Sequence, residues 1–186
     1  MSAEWLTAIA SLLTLVVVAV AAFAALRQIR HMHSANQVAA LLPLTEKYSE
    51  SAMRASLDYA IGELRKDLED PEVRAGVLAR PAYGKARAAM PIFNFYESVG
   101  ALVRAGTLDL FLVLLYFTTP GEMWEIGEDY IALTREGRGQ EIFENFEALV
   151  ILQRRYERRR GTSLFPRNMQ RLPLSRRYLD GAEDSR

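Results

Sequence analysis

The hydrophobic pattern of the chain begins with an unbroken apolar segment from Trp5 to Leu26, which contains no charged side chain. As a helix rising about 1.5 Å per residue, this segment reaches about 33 Å, enough to cross the roughly 30 Å hydrocarbon core of a bilayer. We therefore predict a transmembrane anchor over residues 1–26. A cleaved signal peptide is the weaker alternative, since its hydrophobic region would be shorter and positive charge would precede it.

The charges beside this segment predict its orientation. Arg27 and Arg30 follow it directly, whereas Glu4 is the charged residue that precedes it. Because positive residues favour the cytoplasmic side, we expect the N-terminus outside and the chain from Arg27 onward in the cytoplasm of a bacterial-type cell. The predicted location is thus the inner membrane, spanned once.

After the anchor, apolar residues recur at helical spacings of three and four, and no strand-like alternation is found. The expected fold is all-α, with the anchor helix continuing into a cytoplasmic bundle of about six helices over residues 27–161. Residues 162–186 form an Arg- and Pro-rich tail, predicted to be partly disordered. Pro43 is expected to kink or restart the first helix, because proline lacks the backbone N–H. Further helices are expected at about 51–70, 73–79, 83–104, 108–117, 119–135 and 140–160. The helix over 83–104 is expected to bend or begin again near Pro91, and its apolar second half is expected to be central to the bundle.

One of these helices, Leu108–Phe117, is almost wholly apolar. At about ten residues it is too short to span a bilayer, so we expect a buried core helix. A re-entrant or interfacial segment is the alternative.

Several short motifs follow the apolar segment in a definite order. They are Arg27-Gln28-Ile29, Asn36-Gln37, Asn94-Phe95-Tyr96-Glu97, Gly100, Gly106, Trp124, Arg135, Glu144-Asn145-Phe146-Glu147 and Leu149. In this order they resemble an uncharacterised bacterial family, the domain of unknown function numbered 4760. The resemblance extends from the anchor to about Tyr156, and it implies an anchored, all-helical protein without supplying an activity.

Composition excludes several kinds of chemistry. The chain has no Cys and two His, His31 and His33. Thiolate zinc sites, cysteine nucleophiles, Ser-His-Asp triads and di-iron Glu-x-x-His sites are therefore excluded for the helical domain. A magnesium-type carboxylate site stays open, but carboxylates at three-residue steps usually form a solvated helix face. We predict neither a metal nor a cofactor.

A small polar cluster is expected inside the bundle. Asn94 and Glu97 are three residues apart on an otherwise apolar helix, so they share one face. A buried carboxylate needs cations and hydrogen bonds, and Arg135 and Asn145 are the expected partners. The cluster either fixes the helix register or forms a pocket that binds a ligand, and the first alternative is favoured.

Charge reverses sharply near the end of the domain. Residues 107–150 contain nine acidic residues and two Arg, whereas residues 151–178 contain nine Arg and one acidic residue. Anionic lipid headgroups are the preferred partner, because a tethered domain meets them first, and nucleic acid is unlikely. The proposed lipid contacts are Arg154, Arg155, Arg158, Arg159 and Arg160.

Small side chains form a stripe along the predicted anchor. Such stripes allow transmembrane helices to approach closely, so a homo-oligomer or a membrane-protein partner is possible. The candidate association face is Thr7, Ser11, Thr14, Ala21 and Ala25.

These observations favour a membrane-anchored interaction or regulatory module over an enzyme. The alternative is a membrane-tethered enzyme that uses carboxylates and Arg with a metal or nucleotide. It would require a concave pocket that holds Asn94, Glu97 and Arg135 together.

Overall fold

The computed structural model describes residues 3–79, 84–117, 119–161, 163–164 and 168–170. Over these residues the chain is helical and contains no strand, which confirms the predicted all-α class. One 3-10 helix spans Lys85–Ala89. The α-helices are α1 Ala3–Ser49, α2 Ser51–Gly62, α3 Leu64–Asp67, α4 Pro71–Ala79, α5 Met90–Arg104, α6 Leu110–Tyr116, α7 Pro120–Arg138 and α8 Glu144–Arg160.

Helix α1 continues six residues past Pro43, so of the two effects expected at this proline, a kink or a restart, the restart is wrong. Proline weakens a helix, but tertiary packing holds the turns on both sides of it. Leu41 is buried in the core. The ring of Tyr48 lies 5.2 Å from that of Phe95 and 5.1 Å from that of Phe117, measured between centroids. The C-terminal end of α1 is therefore part of the domain.

The N-terminal part of α1 has the opposite environment. Its segment Ser11–Ile29 has a mean hydropathy of 2.2, and none of it is buried against the rest of the protein. By length and composition it meets the requirements of a membrane span, and among the described residues no other helix does so. This segment overlaps the predicted anchor.

The middle of the chain is divided more finely than the sequence predicted. The helix expected over residues 51–70 is broken at Gly62-Glu63 into α2 and α3. The region expected to bend or begin again near Pro91 does so, because a 3-10 helix is followed there by α5, with Pro91 in the first turn of α5. In the described residues, seven α-helices therefore follow α1, rather than about six.

Helix α5 is the centre of the domain and packs closely on α8. Gly100 permits this approach, because a Cβ atom there would overlap the backbone carbonyl of Asn145. Above this contact, the rings of Phe93 and Tyr96 lie 6.4 Å and 5.1 Å from the ring of Phe146. As the sequence predicted, the second half of the 83–104 region forms the core.

Helix α6 is buried on one side and exposed on the other, so its prediction as a buried core helix is confirmed only in part. Val113 is fully buried, but Phe111, Leu115 and Tyr116 are 39%, 48% and 58% exposed. The helix lies at the edge of the bundle against α8, and it therefore has an apolar side that no described element covers.

Candidate functional site

The predicted polar cluster is centred on Glu97, whose side chain caps the N-terminal end of α8. Its carboxylate accepts hydrogen bonds from the backbone N–H of Asn145 at 3.3 Å and of Phe146 at 2.8 Å. The side-chain amide of Asn145 donates a further bond to Glu97 at 2.7 Å. These two backbone N–H groups belong to the first turn of α8, where an anion also interacts favourably with the helix dipole. Glu97 thus acts as an N-terminal cap supplied by another helix.

Arg135 does not join Glu97, so that expected partnership is wrong. Its guanidinium donates to the carbonyl of Ile142 at 2.9 Å and to the carboxylate of Glu147 at 2.7 Å. It also lies over the ring of Trp124, 5.5 Å from the centroid. Arg135 therefore links the end of α7 to the beginning of α8.

Arg104 is a member of the cluster that sequence reasoning missed. Its guanidinium donates to the side-chain oxygen of Asn145 at 2.7 Å. It also lies 3.4 Å from the carboxylate of Glu144. The signal in the sequence that could have identified Arg104 is its position as the basic residue in the last turn of α5. Assigning it to this cluster requires knowing that α5 and α8 are in contact. Asn94, by contrast, is exposed, and its backbone carbonyl accepts a hydrogen bond from the hydroxyl of Ser98.

A small cavity of about 190 Å³ lies beside this cluster. Asn94 and Glu97 line it together with Tyr130 and Arg138, but Arg135 does not. The hydroxyl of Tyr130 is buried and has no hydrogen-bond partner among the described residues. Burial raises the pKa of Tyr130 to about 12, because the low-dielectric surroundings disfavour the phenolate. Because Arg135 does not line this cavity, Asn94, Glu97 and Arg135 do not form the shared pocket that the enzyme hypothesis required.

Acidic residues do not converge elsewhere in the described part of the chain. There, no group of three or more His, Asp or Glu side chains is arranged to hold a metal ion.

The candidate association face lies along α1. The side chains of Ser11, Thr14, Ala21 and Ala25 are exposed, and that of Thr7 lies outside the description. The four described members are on the apolar segment Ser11–Ile29, which meets the requirements of a span by length and composition.

We call Arg154, Arg155, Arg158, Arg159 and Arg160 the arginine cluster. Some of these arginines contact a neighbouring side chain, and others form no ion pair in the described structure. Arg154 lies 3.5 Å from the carboxylate of Glu125, but both side chains are more than half exposed, so this pair contributes little stability. Arg160 lies over the ring of Tyr156, 5.8 Å from the centroid. In the described structure Arg155 and Arg159 form no ion pair. Arg158 is exposed at the end of the same helix.

Three of these arginines border a groove of about 790 Å³ between α1, α6 and α8. Its basic side is formed by Arg155, Arg159 and Arg160, and Gln37 contributes from α1. The apolar side consists of Leu110, Phe111, Leu112 and Leu152. Asp109 and Tyr156 complete the lining. We call this concavity the basic groove.

The fold and these sites define an all-helical domain preceded by a long apolar N-terminal helix. Residues 9–154 match the family described as domain of unknown function (DUF4760). The match covers more than half of the chain, so the chain belongs to this family, as its motifs indicated. No curated protein and no solved structure matches the chain.

Proposed function

We propose that this protein is a single-span membrane protein of the bacterial inner membrane whose cytoplasmic helical domain serves as an interaction or regulatory module. The observation that carries the proposal is the division of α1. Its first part is apolar and exposed, with Val17 66% and Phe23 69% exposed. Its last part is held in the core by Leu41 and Tyr48. Insertion into a bilayer would remove this apolar surface from water, which stabilises the protein by about 25 cal/mol per Å².

Orientation follows from the charges at the two ends of the span. Arg27 and Arg30 lie at the domain end, and Glu4 lies at the other end. Positive residues favour the cytoplasmic side of a membrane, and this supports a cytoplasmic location for the helical domain.

The arginine cluster supports a membrane-facing role for the domain. Five arginines lie within the last two turns of α8, and anionic lipid attracts each basic residue near the surface by about 1 kcal/mol. Anionic headgroups of the inner leaflet are therefore the proposed first partner. The stripe from Ser11 to Ala25 offers a second contact, with another copy or another membrane protein.

A topology assay tests the proposal on the full chain. A C-terminal fusion to an alkaline phosphatase that is active only in the periplasm should be inactive, whereas a C-terminal fluorescent protein should fold and fluoresce. The protein should stay in the membrane pellet after alkaline carbonate, with its mass showing an uncleaved N-terminus. An active phosphatase would refute the orientation, and cleavage near Ala24 would establish a signal peptide instead.

A charge-swapped variant provides the matched control. Arg27→Gln with Arg30→Gln and Glu4→Lys moves the positive charge to the other end of the span without changing its apolar sequence. If the charges determine the orientation, this variant should gain periplasmic phosphatase activity.

A further inference from the structure

We infer that the basic groove binds one molecule of anionic glycerophospholipid from the inner leaflet. In this site, Arg155 and Arg159 bind the lipid phosphate, and the glycerol and upper acyl carbons lie on the apolar side formed with Phe111. The inference rests on the proposed function, because a bilayer lipid reaches the groove only if α1 spans the membrane. It adds a defined, one-to-one site to a general attraction of basic residues to the surface.

The electrostatics of the groove favour an anion with a phosphate group. Arg155 and Arg159 are four residues apart, so they share one face of α8. Within the described structure neither has an acidic partner, unlike Arg104, Arg135 and Arg154. Arginine donors in this arrangement suit phosphate oxygens.

The acidic member of the groove lining does not cancel this preference. Asp109 caps α6, and its carboxylate accepts a hydrogen bond from the backbone N–H of Phe111 at 2.7 Å. Arg155 and Arg159 alone outnumber this one carboxylate, which is already hydrogen-bonded. The groove retains a positive charge.

The apolar side distinguishes a lipid from a soluble phosphate. Phe111 is 39% exposed, and its ring lies 6.4 Å from that of Tyr156, on the basic side. Apolar and basic surfaces thus meet within one concavity, as an amphiphile requires. The groove volume is within the range of sites that enclose a whole small molecule.

The position of the groove also favours a lipid. Gln37 borders it and lies eight residues beyond Ile29, the end of the apolar window. Along a helix this separation is about 12 Å. The headgroup layer of one leaflet is about 5–8 Å thick, and long arginine side chains extend their charged ends toward it. The groove therefore opens next to the headgroups.

Native mass spectrometry of the full chain in mild detergent tests the inference. The probes are phosphatidylglycerol and phosphatidylcholine with the same acyl chains. We expect one phosphatidylglycerol per chain at saturation, bound at least about tenfold more tightly than phosphatidylcholine. Equal binding of the two lipids, or several equivalent phosphatidylglycerol molecules, would overturn the one-to-one anionic site.

Variants assign the binding to the groove. Arg155→Gln with Arg159→Gln should weaken phosphatidylglycerol binding about 30-fold, the equivalent of about 1 kcal/mol for each basic residue. The matched control, Arg54→Gln with Arg87→Gln, removes two exposed arginines that do not line the groove and should leave binding unchanged. Equal losses in both pairs would show diffuse attraction and refute the site.

The apolar contact has its own test. Phe111→Ser should weaken binding of phosphatidylglycerol severalfold, while soluble glycerophosphoglycerol should not displace the lipid at millimolar concentration. Displacement by this headgroup alone would make the groove a phosphate site and contradict the lipid assignment. Circular dichroism of each variant verifies the fold, and a second substitution, Phe111→Leu, keeps the apolar contact and should bind normally.

These outcomes separate the inference from the proposed function. A chain that stays in the membrane with its domain in the cytoplasm, but does not prefer phosphatidylglycerol, refutes the groove and leaves the anchoring intact. Cross-linking between Phe111 positions of two copies, without lipid and unaffected by the arginine substitutions, would assign the groove to self-association and also refute the lipid site.

Discussion

Replacing Gly100 by alanine tests the contact on which the centre of the domain depends. The added Cβ would overlap the backbone carbonyl of Asn145, and a backbone atom cannot move aside as the end of a flexible side chain can. Helices α5 and α8 must separate by roughly 1 Å before ordinary contact is restored. Overpacking of this kind costs about 1–3 kcal/mol. The same movement lengthens the hydrogen bonds from Asn145 and Phe146 to Glu97, so we expect the upper end of that range.

Thermal unfolding of the full chain in detergent, followed by circular dichroism, measures this effect. A loss of about 3 kcal/mol corresponds to a decrease in Tm of about 6–12 °C for a domain of this size. Gly62→Ala is the matched control, because Gly62 is also helical and nothing lies within 4 Å of an added Cβ. This control should be neutral or slightly stabilising, since alanine favours helix. If Gly100→Ala unfolds at the same temperature as the Gly62 control, the close approach of α5 and α8 is wrong.

Two further predictions concern Tyr130 and the apolar segment of α1. Tyr130→Phe removes a buried hydroxyl and should stabilise the protein by about 1 kcal/mol at pH 7 in urea unfolding. Because burial raises the pKa of Tyr130 from 10.0 to about 12, the folded state keeps the phenolic proton that the unfolded state loses above pH 10, so the free energy of unfolding should fall as pH rises from about 10 through 12. The variant should show a smaller alkaline loss, and an equal loss would contradict this assignment. Ser11→Leu with Ala21→Leu should lower the yield of cross-linked oligomer without reducing insertion; an unchanged yield would exclude this face.

Local signals in the sequence identified most helix boundaries. Thr119-Pro120 marks the start of α7, and Gly161, with φ of 82°, ends α8. Proline at the first helical position and glycine after the last one act through backbone geometry, so neighbouring residues suffice to read them. The continuation of α1 past Pro43 could not be read in this way, because it depends on the packing of Tyr48 against Phe95 and Phe117.

The same distinction applies to the candidate sites. Apolarity alone predicted that α6 would be buried, but exposure depends on which elements cover a helix, and the side carrying Leu115 and Tyr116 is left open. Glu97 was correctly paired with Asn145, although the partners are 48 residues apart, because a carboxylate on an apolar face needs donors. Arg135 was expected in this cluster, whereas Arg104 is found there. The difference depends on which helix ends meet, and the spacing of residues along the sequence does not reveal it.

In the membrane-anchored arrangement proposed above, the uninterrupted α1 would also fix the direction in which the domain faces the membrane. Each residue of a helix adds a turn of about 100° and a rise of about 1.5 Å. The number of residues between Ile29 and Gln37 therefore sets the azimuth of the bundle about the anchor axis. One inserted residue would turn the α8 arginines by about 100°, whereas seven would return them to within about 20° of their original direction and lift them about 10 Å. The length of this junction would thus act as an angular coordinate, which selects the face of the domain that the proposed anchored protein presents along the membrane.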